Sequence, residues 1–155
     1  MILKDYLRYK RQFDNLNTTE KIKNKLFKDH KWLFNANFEN LKLELKDGQL
    51  IIYTGVWYGG TWKNGIWLNG TWEQGLWESG FWHNGTWKDG KWLDGYWYDG
   101  KWLGGTWKNG TWKKGTWKNG EWIKGKIYNP ITKKFEESDV NPAEFYKKIG
   151  YKNDL

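Results

Sequence analysis

Tryptophan recurs at every fifth position through the middle of the chain, and this period limits the possible folds more than any other feature. Fourteen tryptophans follow the period, and a glycine stands three places after each of them. They are Trp57, Trp62, Trp67, Trp72, Trp77, Trp82, Trp87, Trp92, Trp97, Trp102, Trp107, Trp112, Trp117 and Trp122. Ile52 and Ile127 hold the same register at the two ends, so the array comprises sixteen units over residues 52–131. Such self-similarity indicates a repeat architecture in which each unit packs on its neighbours.

The residues beside each tryptophan indicate a short β-strand followed by a turn. The residue before Trp is threonine in six units, and the residue before Gly is asparagine in five units and aspartate in three. Threonine favours strands, whereas asparagine, aspartate and glycine favour turns and tolerate positive φ. We therefore expect a strand in every unit, with asparagine, aspartate or glycine supplying a left-handed corner.

Two β architectures can accommodate a five-residue unit, and backbone hydrogen bonding favours one of them. In an antiparallel meander, two turn residues would join three-residue strands. A strand with a two-residue loop at each end needs an even number of residues, because successive residues direct their backbone groups to opposite sides. Parallel coils have no such requirement. The odd length therefore favours a parallel solenoid and leaves the meander as the alternative.

Units such as residues 105–109 and 115–119, both Gly-Thr-Trp-Lys-Asn, resemble those of pentapeptide-repeat proteins. This resemblance implies a mainly β fold, a right-handed quadrilateral β-solenoid in which sixteen units would make about four coils. The chain differs from that family in having Trp where Leu or Phe is usual and Gly where Ala is usual. The segment 96–102 has a weaker likeness to MORN repeats, which form the antiparallel meander.

The sequence before the repeat predicts a helical and hairpin cap over residues 1–51. Asn17 and Glu20 have the spacing of a helix capping box, and the helix that they begin is expected to run to about His30. Alternating leucines then indicate a strand around residues 41–45, and Asp47-Gly48 predicts the hairpin turn that follows it.

The sequence after the repeat predicts a tail over residues 132–155 that contains one short helix. Asn141 and Pro142 have the residue types preferred at the cap and at the first position of a helix. Phe145, Tyr146 and Ile149 would form its buried face, and a glycine at position 150 would end it.

The tryptophans are expected to form the core, because fourteen exposed indoles would create a large aggregating surface. On a four-sided coil, residues twenty places apart would share an outer face. One face would then carry a stripe of large apolar side chains that a partner protein, a second copy or the N-terminal helices could cover. The predicted interaction surface consists of Val56, Tyr58, Leu76, Tyr96 and Tyr98.

Lysines near the end of the repeat form a second candidate surface. Seven lysines lie between positions 101 and 126, with Glu121 as the only acidic residue. An anionic partner such as nucleic acid could bind there, and a solvated, solubilising surface is the alternative. The absence of arginine in this segment weakens the case for bidentate phosphate recognition. The predicted contacts are Lys108, Lys113, Lys114, Lys118, Lys124 and Lys126.

No set of residues in the sequence indicates catalysis, a metal site or a cofactor. The chain has no cysteine, and its histidines, His30 and His83, lie in different segments. Asp89, Asp94 and Asp99 fall at successive corners, where turn chemistry alone favours aspartate. We therefore expect a non-enzymatic structural or protein-interaction scaffold. A nucleic-acid-binding module and an aromatic glycan-binding surface are the alternatives.

Two further features concern location and setting. The chain has no apolar run of membrane-spanning length, and its first residues lack the apolar core of a secretory signal. A cytoplasmic or virion-associated location without membrane contact is expected. Five-residue arrays of Trp and Gly are similar to those of uncharacterised tailed-phage proteins, and this likeness implies a virion or phage-encoded accessory role.

Overall fold

The computed structural model describes residues 29–152. A 3-10 helix and a β-hairpin lead into a parallel β-solenoid, which ends in an antiparallel strand pair and a short α-helix. The elements are Lys31–Asn35 (3-10 helix), Asn37–Lys46 (β1), Gln49–Gly59 (β2), Thr61–Trp62 (β3), Ile66–Trp67 (β4), Thr71–Trp72 (β5), Leu76–Trp77 (β6), Phe81–Trp82 (β7), Thr86–Trp87 (β8), Lys91–Trp92 (β9), Tyr96–Trp97 (β10), Lys101–Trp102 (β11), Thr106–Trp107 (β12), Thr111–Trp112 (β13), Thr116–Trp117 (β14), Glu121–Trp122 (β15), Gly125–Asn129 (β16), Lys134–Ser138 (β17) and Pro142–Lys148 (α1).

Each coil of the solenoid has three sides, because the strands that pair lie fifteen residues apart. Trp57 pairs with Trp72, which pairs in turn with Trp87, and every pairing between two-residue strands is parallel. The chain completes about five such turns. The predicted β-solenoid is thus confirmed, and the antiparallel meander is wrong. The predicted four sides and four coils are also wrong, whereas the right hand of the coil stays a prediction.

Indole packing accounts for three sides rather than four. Tryptophans fifteen residues apart stack nearly parallel, with ring centroids 4.8–5.2 Å apart. Tryptophans five residues apart meet edge to face at 5.7–6.1 Å. Both are preferred aromatic geometries. Three indoles fill one layer of the interior, and all fourteen side chains are buried, as predicted.

Glycine, rather than the residue before it, takes the left-handed conformation at every corner of the repeat. Gly95, for example, has φ of +127°, and the Asp94 carboxylate accepts a 2.8 Å hydrogen bond from the Gly95 N–H. Within the described residues, positive φ at residues other than glycine occurs only at Asn40, Asp47 and Lys133, which all lie outside the repeat. The side chain stabilises the turn in this way at five corners, those of Asn64, Asn69, Asp89, Asp94 and Asp99.

The first end of the solenoid is closed by the β1–β2 hairpin and the 3-10 helix. The predicted Asp47-Gly48 turn is confirmed, with both residues at positive φ. Strand β2 bends at Gly55 and continues into the coil, so that it contributes to two sides. Trp32 packs on Trp62, the first indole of its column, with centroids 5.2 Å apart. The helix predicted to begin at Asn17 lies outside the described residues except for its last two positions, 29 and 30.

The second end is closed by β17 and α1. As predicted, Asn141 caps the helix, and its side chain accepts a 2.9 Å hydrogen bond from the Glu144 N–H. Phe145 and Tyr146 are buried against the end of the core. With a cap at each end, the described part of the chain is a closed rod rather than a unit that can stack without limit.

The hydroxyl of Tyr146 links this cap to the core and leads to a prediction about alkaline stability. Trp112 Nε1 donates a 3.2 Å hydrogen bond to Tyr146 Oη, and burial raises the pKa of Tyr146 to about 12. An unfolded tyrosine has a pKa of about 10, so the folded state binds this proton more tightly. The resulting stabilisation is fully present below about pH 10 and is lost as the pH rises towards 12.

We expect Tyr146→Phe to lower the free energy of unfolding by about 1 kcal/mol at neutral pH, because the Trp112 N–H loses its acceptor. Between about pH 10 and pH 12 the variant should lose about 2 kcal/mol less stability than the unmodified protein. Urea unfolding at several pH values, followed by circular dichroism, measures both effects. An equal alkaline loss in the two proteins would contradict the assignment of this titration to Tyr146.

Candidate interaction surface

The three sides of the coil present three outer faces, and each tryptophan is flanked by two outward side chains. The first face comprises the outer side of β5, β8, β11 and β14, and the second that of β3, β6, β9, β12 and β15. The third face comprises the outer side of β4, β7, β10, β13 and β16. Strand β2 begins the third face at Ile51 and the first face at Val56.

The third face differs from the other two in charge. On the first and second faces, every two-residue strand has one Lys or Glu directly before or after its tryptophan. On the third face, three adjacent strands, β4, β7 and β10, have no Asp, Glu, Lys or Arg at these positions. We call the outward side chains of these three strands the uncharged patch. They are Ile66, Leu68, Phe81, His83, Tyr96 and Tyr98.

Aromatic contacts order the centre of the uncharged patch. The rings of Phe81 and Tyr96 are parallel, with centroids 5.2 Å apart, and those of His83 and Tyr98 stack at 5.1 Å. Partial burial, with a smaller effect of Tyr98, raises the pKa of Tyr96. The four side chains therefore form an ordered surface whose ring faces lie mainly against one another.

Lysines and further aromatic rings border the patch on the side of the second cap. Lys113 Nζ lies 3.1 Å from the ring centroid of Tyr128 and 5.6 Å from that of Phe135. Phe135 on β17 is 42% exposed, and Lys114 Nζ lies 5.4 Å from the ring of Tyr98. An uncharged centre with a charged border is the usual composition of a protein–protein interface.

The structure does not bring together the five residues of the predicted stripe. Val56 and Tyr58 lie on the first face, Leu76 on the second, and Tyr96 and Tyr98 on the third. The predicted stripe is wrong as a single surface, because residues twenty places apart fall on different sides of a fifteen-residue coil. Only Tyr96 and Tyr98 belong to the uncharged patch.

The other four residues of the patch, Ile66, Leu68, Phe81 and His83, were not predicted, because a spacing of twenty residues does not align them. A signal for them exists in the sequence: with a spacing of fifteen, the uncharged pairs around Trp67, Trp82 and Trp97 align. With a spacing of twenty, each of these pairs lies beside a charged residue and the pattern disappears.

The six lysines predicted to contact an anion are distributed around the whole coil. Lys118 lies on the first face and Lys108 on the second, while Lys113 and Lys126 lie on the third. Lys114 and Lys124 occupy corner positions, and Lys114 Nζ lies 3.7 Å from an Asp99 carboxylate oxygen. The structure therefore does not gather these lysines into one basic patch, although Lys113, Lys114 and Lys126 lie near one border of the third face.

The acidic and imidazole groups of the described residues do not converge on a common centre. Asp89, Asp94 and Asp99 occupy the three corners of one coil, and each accepts a hydrogen bond from the glycine that follows it. Burial lowers the pKa of His30 beside the first cap, whereas His83 is exposed on β7. Over residues 29–152, no group of three such side chains is placed to hold a metal ion.

Comparison with protein-family models, with curated proteins and with solved structures gave no match. Among the helices between residues 29 and 152, none is long and apolar enough to cross a membrane. The geometry of the chain itself is therefore the basis of the functional proposal.

Proposed function

We propose that this protein is a non-enzymatic scaffold that binds a partner protein through the uncharged patch on its third face. The observation that supports this most directly is the difference in charge between the faces. The same repeat carries a charged side chain on every short strand of two faces and on none of three adjacent strands of the third. Solubility alone gives no reason for such a difference, whereas a binding surface does.

The chemistry of the patch defines the partner. Its centre would contact an apolar strip, because Ile66, Leu68 and Phe81 can offer no charge-assisted contact. Lys113 and Lys126 on the border favour carboxylates on that side of the partner. The scaffold itself is rigid, because each side is hydrogen-bonded to the coil before it; the Glu73 N–H, for example, donates to the Trp57 carbonyl at 2.8 Å. A preformed surface of this kind loses little conformational entropy on binding.

The two alternative functions have less support. Nucleic-acid binding would be favoured by a continuous basic groove, but the six lysines surround the coil. Glycan binding would be favoured by exposed ring faces, but the fourteen tryptophans of the repeat are buried and the rings of the patch stack on one another. Because the repeat is similar to arrays of uncharacterised tailed-phage proteins, we propose that the partner is a protein of a virion or of an infected cell.

Site-specific photocrosslinking tests the proposal with matched positions. The repeat has a leucine directly after the tryptophan on each face: Leu68 on the third, Leu93 on the second and Leu103 on the first. A benzophenone side chain placed at Leu68 in the natural producing cell should give one discrete crosslinked protein, which mass spectrometry identifies. The same group at Leu93 or Leu103 should give none.

Binding of that purified partner should then weaken at least about tenfold with Leu68→Glu, since a charge placed in an apolar interface costs about 1.4 kcal/mol or more. Leu93→Glu is the control and should leave the affinity unchanged. Equal crosslinking from all three faces, or equal weakening by both substitutions, would overturn the proposal. So would crosslinks from Leu68 to nucleic acid alone, or only between two copies of this chain.

A further inference from the structure

One column of core tryptophans continues, through contact with the second cap, towards the protein surface. Trp67, Trp82, Trp97 and Trp112 stack with successive centroid distances of 5.2, 4.9 and 4.9 Å. Trp112 Nε1 then donates its 3.2 Å hydrogen bond to Tyr146 Oη. Ile127 takes the next position in register after Trp112, while the Trp112 N–H links the end of the column to a phenol.

The next aromatic ring after Tyr146 reaches solvent. Tyr151 lies with its ring centroid 5.6 Å from that of Tyr146, and its side chain is 40% exposed, whereas Tyr146 is 6% exposed. Edge-to-face contacts connect the other two columns to the first, so that all fourteen indoles belong to one network. An aromatic path thus connects the whole core to one surface tyrosine.

The hydrogen-bond partner of each indole N–H decides whether that indole can lose its Nε1 proton after it has lost an electron. An oxidised indole is a strong acid at Nε1, and transfer of this proton to a base traps the radical in place. Within residues 29–152, eight buried indole N–H groups have no hydrogen-bond acceptor, namely those of Trp57, Trp67, Trp72, Trp77, Trp82, Trp92, Trp102 and Trp107. The acceptors of Trp62, Trp87 and Trp97 are backbone carbonyls, which are too weakly basic to take a proton.

Oxidation of these eleven indoles is therefore not trapped where it begins. The electron vacancy can pass between stacked indoles until it reaches a group that can release a proton to water. Tyr146 is poorly suited to this, because its phenol is buried and burial raises its pKa to about 12. Tyr151 is well suited, because its side chain is exposed.

We propose that the tryptophan core is a hole-transfer relay and that Tyr151 is its outlet. A one-electron oxidant in the surrounding solution first takes an electron from a core indole and is itself reduced. An electron then moves from Tyr151 to the oxidised core, the indole is restored, and the phenolic proton of Tyr151 passes to water. The neutral tyrosyl radical that remains can couple with a second one to form a carbon–carbon dityrosine bond. The relay would protect a core of fourteen oxidisable indoles, and it is independent of the partner protein proposed above.

Photo-oxidation of the whole protein tests this relay. Light absorbed by indole excites the core, and hexaamminecobalt(III) serves as the electron acceptor, being reduced irreversibly to cobalt(II). In the unmodified protein we expect a tyrosyl radical in the electron paramagnetic resonance spectrum and dityrosine at Tyr151 by mass spectrometry. Tyr151→Phe should lose both signals, and oxidised tryptophan should accumulate in their place.

Tyr53 provides a stringent control. It is 37% exposed, close to the exposure of Tyr151, and its hydroxyl donates a hydrogen bond to a carboxylate oxygen of Glu44, which helps a phenol to lose its proton. Among the described residues, however, it makes no ring contact with a core tryptophan. Tyr53→Phe should leave the radical yield unchanged.

Three outcomes would overturn the relay. The first is a tyrosyl radical that persists in Tyr151→Phe, and the second is dityrosine formed at Tyr53 in the unmodified protein. The third is oxidation that accumulates on tryptophan, Trp32 at the first cap included, while Tyr151 is intact. Circular dichroism of each variant confirms that the substitution has left the fold unchanged.

Discussion

Gly95→Ala is expected to unfold the solenoid or to leave it only marginally stable. Gly95 has φ of +127°, a conformation that residues with a Cβ atom rarely adopt, and such strain costs about 1–3 kcal/mol. A Cβ atom there would also lie 2.5 Å from the Gly80 carbonyl oxygen of the previous coil. Because that oxygen accepts the Tyr96 N–H hydrogen bond, it cannot withdraw without breaking the pairing between coils.

The combined cost is expected to be about 4 kcal/mol or more, since overpacking adds about 1–3 kcal/mol to the backbone strain. Domains of this size are stable by about 5–15 kcal/mol, so the loss should be evident in chemical denaturation. Gly59→Ala is the matched control, because Gly59 has no positive φ and a Cβ atom there would have no neighbour within 4 Å. We expect Gly59→Ala to change the free energy of unfolding by less than about 0.5 kcal/mol. Similar losses in the two variants would show that the corner glycines are not required for close contact between coils.

Trp92→Ala is expected to have the second large effect, a loss of about 3–5 kcal/mol in the free energy of unfolding. The Trp92 side chain is fully buried, stacked between Trp77 and Trp107 at 4.8 Å on each side and met edge-on by Trp87 and Trp97. Removing it leaves an indole-sized void in the centre of the rod. The coils on either side are held apart by their backbone hydrogen bonds, so the void can close only in part.

Trp122→Ala provides the comparison at the end of a column. Trp122 stacks on Trp107 alone, meets Trp117 edge-on, and is 9% exposed, so water and the second cap can fill the space that it leaves. We expect Trp122→Ala to lower the free energy of unfolding by about 3 kcal/mol or less, the low end of the same range. Urea unfolding monitored by circular dichroism compares the two variants. A cost for Trp92→Ala no larger than that for Trp122→Ala would contradict a continuous, tightly packed indole core.

Much of the scaffold could be predicted from local sequence features. The five-residue period predicted a β repeat, the odd length of the unit favoured parallel coils over hairpins, and the size of the indole placed it inside. The Asp47-Gly48 turn and the Asn141 cap are also local, because each depends on residues within four positions. The strand β17 was not predicted, because its exposed residues have no alternating apolar pattern and its pairing with β16 forms only at the end of the rod.

The candidate surface was predicted only in part, because an outer face is formed by residues from different coils. Tyr96 and Tyr98 were recognised as large apolar groups, but they were combined with Val56 and Leu76, which lie on other sides. An error of one five-residue unit in the number of residues per coil moves the outward residues of successive coils to different faces. The assumed spacing of twenty residues also assigned the lysines to the wrong faces, so the sequence did not predict that they surround the coil.

The sequence by itself thus determined the period, the inward position of tryptophan, a turn in every unit, and the hairpin and short helix that flank the repeat. All of these follow from one unit or from its immediate neighbours. The number of sides was decided only by the tertiary structure, because a five-residue unit is compatible with three or four units per turn. Closure after fifteen residues requires Trp72 to lie directly on Trp57 while it contacts Trp67 edge-on. This packing needs three indoles from three successive units that fill one layer together. It therefore cannot be deduced from a single unit.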